Sequence, residues 1–216
     1  MTIDRAETLR YMRMGAVRPD DVLTARLARV EHAVLAAARP VAYWRLEKVA
    51  FGAMPDDVRI GPLAVRSHAL AHVVRGCPHA FLFCATLGAA VDALLRRYSQ
   101  TSGADALMAQ AAATAALESY CDDDCTTRLL AEPAVTGERL RMRFSPGYGD
   151  LALETQRPLL QILDSARRAG ILLTDTLLMM PSKSVSAIIG VGPAPTVEAP
   201  AGCAACSKSD CTCRRA

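Results

Sequence analysis

The stretch Met142-Arg143-Phe144-Ser145-Pro146-Gly147-Tyr148-Gly149-Asp150 decides how the rest of the chain is read. Just before and into it, Leu140, Met142 and Phe144 alternate with Arg139, Arg141 and Arg143. That is the period-two pattern of a strand with one face buried and one in solvent. Ser145-Pro146-Gly147 ends the strand, because proline has no N–H for a ladder and glycine accepts the positive φ of a tight turn. Arg143 therefore falls at a strand end, on the polar face, one turn before Tyr148. A guanidinium fork beside an aromatic ring and turn N–H groups suits a carboxylate or another small polar ligand. The same spacing equally describes an ordinary strand end with a solvated arginine.

Toward the N-terminus, an alanine-rich stretch from about Asp105 to Leu130 predicts a helix whose small residues allow close packing on several sides. Glu118 sits in the middle of that alanine surface with Asp122 four residues on, hence on the same face. A carboxylate among alanines is costly to bury alone and requires a cation; a solvent-facing acidic stripe continued by Asp123 and Asp124 is the other reading. Cys121 and Cys125 read as small core residues. Phe81 to Ala85 reads as a buried strand, which Thr86-Leu87-Gly88 turns into a helix carrying Val91, Leu94, Leu95 and Tyr98. Ser67 is placed to cap a helix ending at Gly76. That helix carries His68 and His72 four apart, a spacing metal sites use, but without a third ligand it reads as a helix surface or core. Ala42, Trp44 and Leu46 mark a strand, and Val58 to Ile60 another.

The first residues predict two helices. Asp4 with Glu7 resembles a capping box, with Gly15 as the stop. After Pro19, Leu23, Leu27, Val30 and Val34 form one apolar stripe that Pro40 ends. Together they read as a helical hairpin ahead of the sheet. Beyond the central stretch, Leu159, Leu160, Leu163 and Ala166 predict a helix ended by Gly170, and the apolar runs Ile171 to Met180 and Val185 to Val191 are expected to complete the sheet. Strands mixed irregularly with helices imply an α+β fold with a largely antiparallel, twisted sheet flanked by helices. Three parts follow: residues 1–40 as the helical hairpin, 41–191 as the α+β domain, and 192–216 as a Pro/Ala linker with a Cys-rich tail. In that tail Cys203, Cys206, Cys211 and Cys213 suit zinc or an iron–sulfur cluster, or stay reduced and loose.

The chain has 216 residues, enough for one good core, with 51% hydrophobic and 22% charged residues. A net charge of +3 with scattered basic residues and 5% aromatics excludes a nucleic-acid surface. The opening residues have no apolar signal region, and the longest apolar run, Ala80 to Val91, is too short to span a bilayer. A cytoplasmic protein is expected, its eight cysteines reduced or bound to metal.

Arg143-x-x-Pro146-Gly147-Tyr148, then Gly170-Ile171-x-Leu173-Thr174, then Met180-Pro181-x-x-Ser184-Val185-Ser186, resemble the S-adenosylmethionine-binding activation domain of cobalamin-dependent methionine synthase. The resemblance is closest to free-standing versions that carry a cysteine-rich tail. The specific motifs cover roughly Arg143 to Gly190, and a weaker similarity runs through Ala85-Thr86-Leu87-Gly88 and Glu118. The resemblance implies a reactivation module, a methyltransferase component inactive without its corrinoid partner. Such a module binds S-adenosylmethionine as methyl donor for the reductive methylation of cob(II)alamin on a partner methionine synthase or related corrinoid methyltransferase. A flavodoxin-like or other donor supplies the electron. Implied ligand contacts are Glu118, Arg143, Ser145, Gly147 and Tyr148, with Arg143 on the methionine carboxylate and Glu118 on the α-amino group. The metal ligands expected in the tail are Cys203, Cys206, Cys211 and Cys213, although the free-standing relatives have three cysteines there. The full-length enzyme's ligand tyrosine after the Ser-Val-Ser segment has no counterpart, since Ala187-Ile188-Ile189-Gly190-Val191 holds none. Asp-x-His-x-x-Gly, which holds a corrinoid, is absent from this sequence. The alternative function is a non-catalytic, metal-carrying docking protein or an S-adenosylmethionine sensor for a corrinoid methyltransferase.

Overall fold

A computed structural model describes residues 1–14 and 19–194. The expected stop at Gly15 and the four tail cysteines lie outside the described residues.

The centre of the molecule is β4 (His79–Thr86), whose residues Ala80 to Ala85 are all completely buried. It pairs antiparallel with β1 (Val41–Phe51) on one side and β8 (Ser184–Gly192) on the other. Neighbours on both edges and cover on both faces explain why it reads as an unbroken apolar run rather than an alternation. β2 (Asp57–Ile60) and β3 (Leu63–Arg66) extend the sheet beyond β1, and the short β5 (Arg139–Leu140) closes the far edge beside β8. The order is β3-β2-β1-β4-β8-β5, all antiparallel. The expected α+β architecture is present, with β3 as a strand the sequence reading omits.

Alternation along β4 and β8 divides the core in two. Phe81, Phe83, Ala187, Ile189 and Val191 face one helical layer: α1 (Arg5–Tyr11), α2 (Asp21–Ala37), α4 (Ala89–Thr101) and α5 (Gly103–Ser119). Leu82, Cys84 and Ile188 face the other: α3 (His68–Val73), α7 (Gln156–Ile162) and α8 (Ser165–Ala169). In α5, Ala109, Ala111, Ala112, Ala113, Ala115 and Ala116 are buried. The helix therefore has no polar stripe and serves as the hub on which α1, α2 and α4 all pack. The two N-terminal helices are tied to each other by Arg5 and Glu31, at 2.5 Å.

Three local expectations are corrected. The helix expected up to Gly170 breaks at Asp164, which adopts φ 49° and separates α7 from α8. The apolar run Ile171 to Met180 does not join the main sheet. It folds into a separate two-stranded hairpin, β6 (Leu172–Leu173) and β7 (Met179–Met180), closed by Thr174, whose hydroxyl accepts from the Leu178 N–H at 3.0 Å. Leu172, Leu178 and Met180 are exposed there, so apolarity alone misleads. The helix from Asp105 to Leu130 is present as one rod with an irregular middle. After Ser119 it widens into a π turn, Tyr120–Cys125, and resumes as α6 (Thr126–Leu130).

The strand reading around Arg143 needs the largest correction. Arg139 pairs with Gly192 and Leu140 with Val191, but the next pairing is Phe144 with Ile188. Arg141, Met142 and Arg143 thus oppose only Ile189 and Gly190, the one-residue excess of a β-bulge. Side-chain direction inverts across it. Leu140 packs in the first core layer and Phe144 in the second, while Met142 is exposed, so the three do not share a face.

Candidate functional site

The bulge and the π turn face one another at the sheet edge. The inversion turns Arg143 toward the rod, where its Nη2 reaches Glu118 Oε2 at 2.5 Å and its Nη1 reaches Asp122 Oδ1 at 2.8 Å. The two carboxylates come from the last turn of α5 and the first residues of the π turn, and one guanidinium fork spans both. The Arg143 side chain is about four-fifths buried. Burial works against its charge, and the groups around it, Cys121, Asp122 and Glu118, outweigh that cost and hold the proton more firmly than usual. Arg141 takes the other direction. Its side chain lies against Gly190 and Cys77, and its Nη2 donates to the Pro193 carbonyl at 2.8 Å.

Between rod and bulge lies a cavity of about 230 Å³ with Phe83, Leu129 and Ile189 as apolar walls and Cys121, Asp122, Arg141 and Arg143 at its polar side, Arg141 with its guanidinium directed out to Pro193. The structure thus brings Glu118 and Arg143 together. Ser145, Gly147 and Tyr148 sit on the turn beyond, outside that wall. The Gly147 N–H donates to the Leu151 carbonyl at 2.8 Å and the Tyr148 N–H to the Ser145 carbonyl at 3.0 Å, so both are used within the turn. Tyr148 is exposed and stands edge-on to Phe144, ring centres 6.2 Å apart. Asp122 as a second partner of Arg143 was foreshadowed only by its spacing from Glu118. Cys121 and Ile189 as cavity walls carry no sequence signal beyond burial.

The turn is clamped from the other side by Asp150. Its Oδ1 accepts from the Ser67 hydroxyl at 2.6 Å and the Ala69 N–H at 3.1 Å, and its Oδ2 from the His68 N–H at 2.7 Å. Gly149 makes this approach possible. It has φ 55°, and a Cβ there would meet the Ala69 Cβ at 2.8 Å. The Ser67 hydroxyl first, then the two backbone N–H groups, hold the Asp150 carboxyl down at about 2. A carboxyl depressed on folding stabilises above its ordinary value of 3.8, and that contribution disappears as pH falls toward 2. Asp150→Asn should therefore flatten the pH dependence of the urea midpoint between pH 4 and 2 relative to the unaltered chain. Equal slopes for the two proteins would remove Asp150 from the acid response.

His68 is exposed, its Nδ1 3.0 Å from Asp56 Oδ1, in keeping with a helix surface. Among the described residues no group of three or more His, Cys, Asp or Glu side chains is placed to hold a metal ion, and no helix is long and apolar enough to cross a membrane.

Sheet, helical layers and cavity define an α+β domain with its candidate site at a bulged sheet edge. The family model described as vitamin B12 dependent methionine synthase, activation domain, matches residues 79–197, more than half of the chain, and the chain belongs to that family. Among solved structures, one described as the MetH reactivation domain bound to AdoHcy matches with a TM-score of 0.62. That match has 17% identity over 82% of this chain and 68% of the other, a likeness of fold. No curated protein matches.

Proposed function

We propose that this chain binds S-adenosylmethionine at the Arg143–Glu118 edge and presents its sulfonium methyl to a corrinoid carried by a separate methionine synthase or related methyltransferase chain. The observation that carries the reading is the ion pair itself. A free α-amino acid group is a zwitterion, and Arg143 with Glu118 forms its mirror image: a cation for the carboxylate and an anion for the ammonium. Ligand entry exchanges one partly exposed pair, worth ~1 kcal/mol or less, for two charge-assisted contacts. Asp122 keeps hold of the other guanidinium nitrogen and so preserves the fork's direction. The family membership and the AdoHcy-bound relative support the choice of ligand.

S-adenosylmethionine supplies an already activated methyl group, so transfer requires no general base from the chain. Arg143 and Glu118 bind and orient the amino acid end, and Phe83, Leu129 and Ile189 keep water from the inner wall. The electron for reductive methylation comes from a separate donor. Calorimetric titration of the purified chain tests the reading: saturable one-to-one binding of S-adenosylmethionine, displaced by S-adenosylhomocysteine, is expected. No heat up to about 1 mM ligand, the level of ~4 kcal/mol of binding, overturns it.

A further inference from the structure

The outer flank of β8 is only partly filled. Toward its end β5 and the bulge occupy that flank, through Leu140 with Val191 and Phe144 with Ile188. From Ser184 to Ala187, β8 pairs with β4 and, among the described residues, with no second strand. The start of β8 is tied to α5 by one contact, in which Lys183 Nζ donates to Thr114 Oγ1 at 3.0 Å. The Thr114 hydroxyl in turn donates to the Gln110 carbonyl at 2.9 Å, which leaves it an acceptor for the ammonium. Between Ala111 and Leu117, Thr114 is the one residue of α5 that is not buried, and Glu118 follows a turn later on the same face. Glu118, Thr114 and Lys183 thus lead away from Arg143 toward the start of β8.

Lys183 is half-buried, and its ammonium has three hydrogens for one acceptor. Among the described residues it forms no ion pair. Asp92, the carboxylate that acts on its charge, is engaged at both oxygens by the Ser182 hydroxyl and N–H, at 2.7 and 2.8 Å. A half-buried cation with two idle donors suits an oxygen-bearing ligand.

The cavity beside Arg143, about 230 Å³, lies below the ~300 Å³ at which small-molecule pockets begin. A ligand gripped by its amino acid end at Arg143 and Glu118 must therefore extend beyond it, and β5 blocks the direction toward Val191. We propose that Lys183 is a further ligand-binding residue, which donates to the ribose hydroxyls of an S-adenosyl ligand; the assignment rests on the function proposed above. Thr114 stands one turn from Glu118, roughly 5–6 Å between Cβ atoms. The methionine chain from ammonium to sulfur covers such a span, and the ribose follows the sulfur by one carbon. The charge of Lys183 repels the sulfonium of S-adenosylmethionine, whereas S-adenosylhomocysteine, with no charge on sulfur, gains the ribose contact without that cost.

Lys183→Met keeps most of the side chain's apolar length and removes the ammonium. Calorimetry should show S-adenosylhomocysteine bound roughly tenfold more weakly and S-adenosylmethionine only about threefold more weakly, with thermal unfolding unchanged. A purely structural role would cost both ligands alike. A second measurement needs no variant, because the chain holds just three lysines, Lys48, Lys183 and Lys208. Saturating S-adenosylhomocysteine should protect Lys183 from acetylation by acetic anhydride, read by peptide mass, and leave Lys48 and Lys208 as reactive as before. Undiminished labelling of Lys183 at saturating ligand overturns the assignment, as does a Lys183→Met chain that loses both ligands equally or neither. An unaltered chain that binds neither ligand defeats the proposed function, and the assignment with it; binding that Lys183→Met leaves intact defeats the assignment alone.

Discussion

Given S-adenosylmethionine and a strong reductant, the purified chain should leave free cob(II)alamin essentially unmethylated. Addition of a corrinoid-bearing methyltransferase chain should raise the transfer rate by ~10⁵-fold or more. The reason is alignment. Methyl transfer needs cobalt, methyl carbon and sulfur held in line, and fixing that arrangement supplies ~7–11 kcal/mol of the barrier. Two cavities among the described residues measure about 230 and 420 Å³, sizes that suit small ligands. The motif that grips a corrinoid in such enzymes is absent from the sequence. On the function proposed above, cobalt is positioned by another protein. The shift of the cobalamin absorption spectrum to its methylated form, followed with and without the partner, measures the effect. Efficient turnover of free cobalamin would require a corrinoid cradle in this chain and defeat the prediction.

Arg143→Ala should weaken S-adenosylmethionine binding about ten- to a hundred-fold, the equivalent of losing a charge-assisted contact worth ~1.5–3 kcal/mol. The chain should remain folded, because Glu118 and Asp122 are exposed enough to be hydrated once the guanidinium is gone. Arg141→Ala is the informative companion. The bulge sends Arg141 to Cys77 and the Pro193 carbonyl, away from the carboxylates, so its removal should change affinity less than threefold. Calorimetry on both variants, with thermal unfolding to confirm folding, decides the matter. Equal losses from the two would mean that general positive charge, and not the forked contact, attracts the ligand.

The contrast between these arginines marks where sequence reading stops. β4, β8 and α2 are legible because each is decided locally, by an apolar run or by the stripe Leu27, Val30, Val34. Glu118 and Arg143 are each legible as unusual residues, one by its alanine surroundings and one by its place before Pro146. Their meeting is not legible. It depends on the register of β5 against β8 and on a π turn in a rod far away in sequence, and neither leaves a local pattern. Alternation through Leu140, Met142 and Phe144 even points the wrong way, since the bulge is set by pairing with Ile188 and Val191. The Ile171 to Met180 segment misleads for a simpler reason: its leucines and methionines are apolar but largely sit in solvent.

One extra backbone unit at the sheet edge has a consequence for how this region tolerates change. Which side of the sheet Arg143 reaches is fixed by whether an odd or an even number of residues separates it from the last regular pair, Leu140 with Val191. Met142, half-exposed, contributes to that parity mainly by being there and only secondarily by its chemistry. At Met142 the chain should thus be permissive toward replacement, while the whole segment from Arg139 to Phe144 should be unforgiving of any change in length.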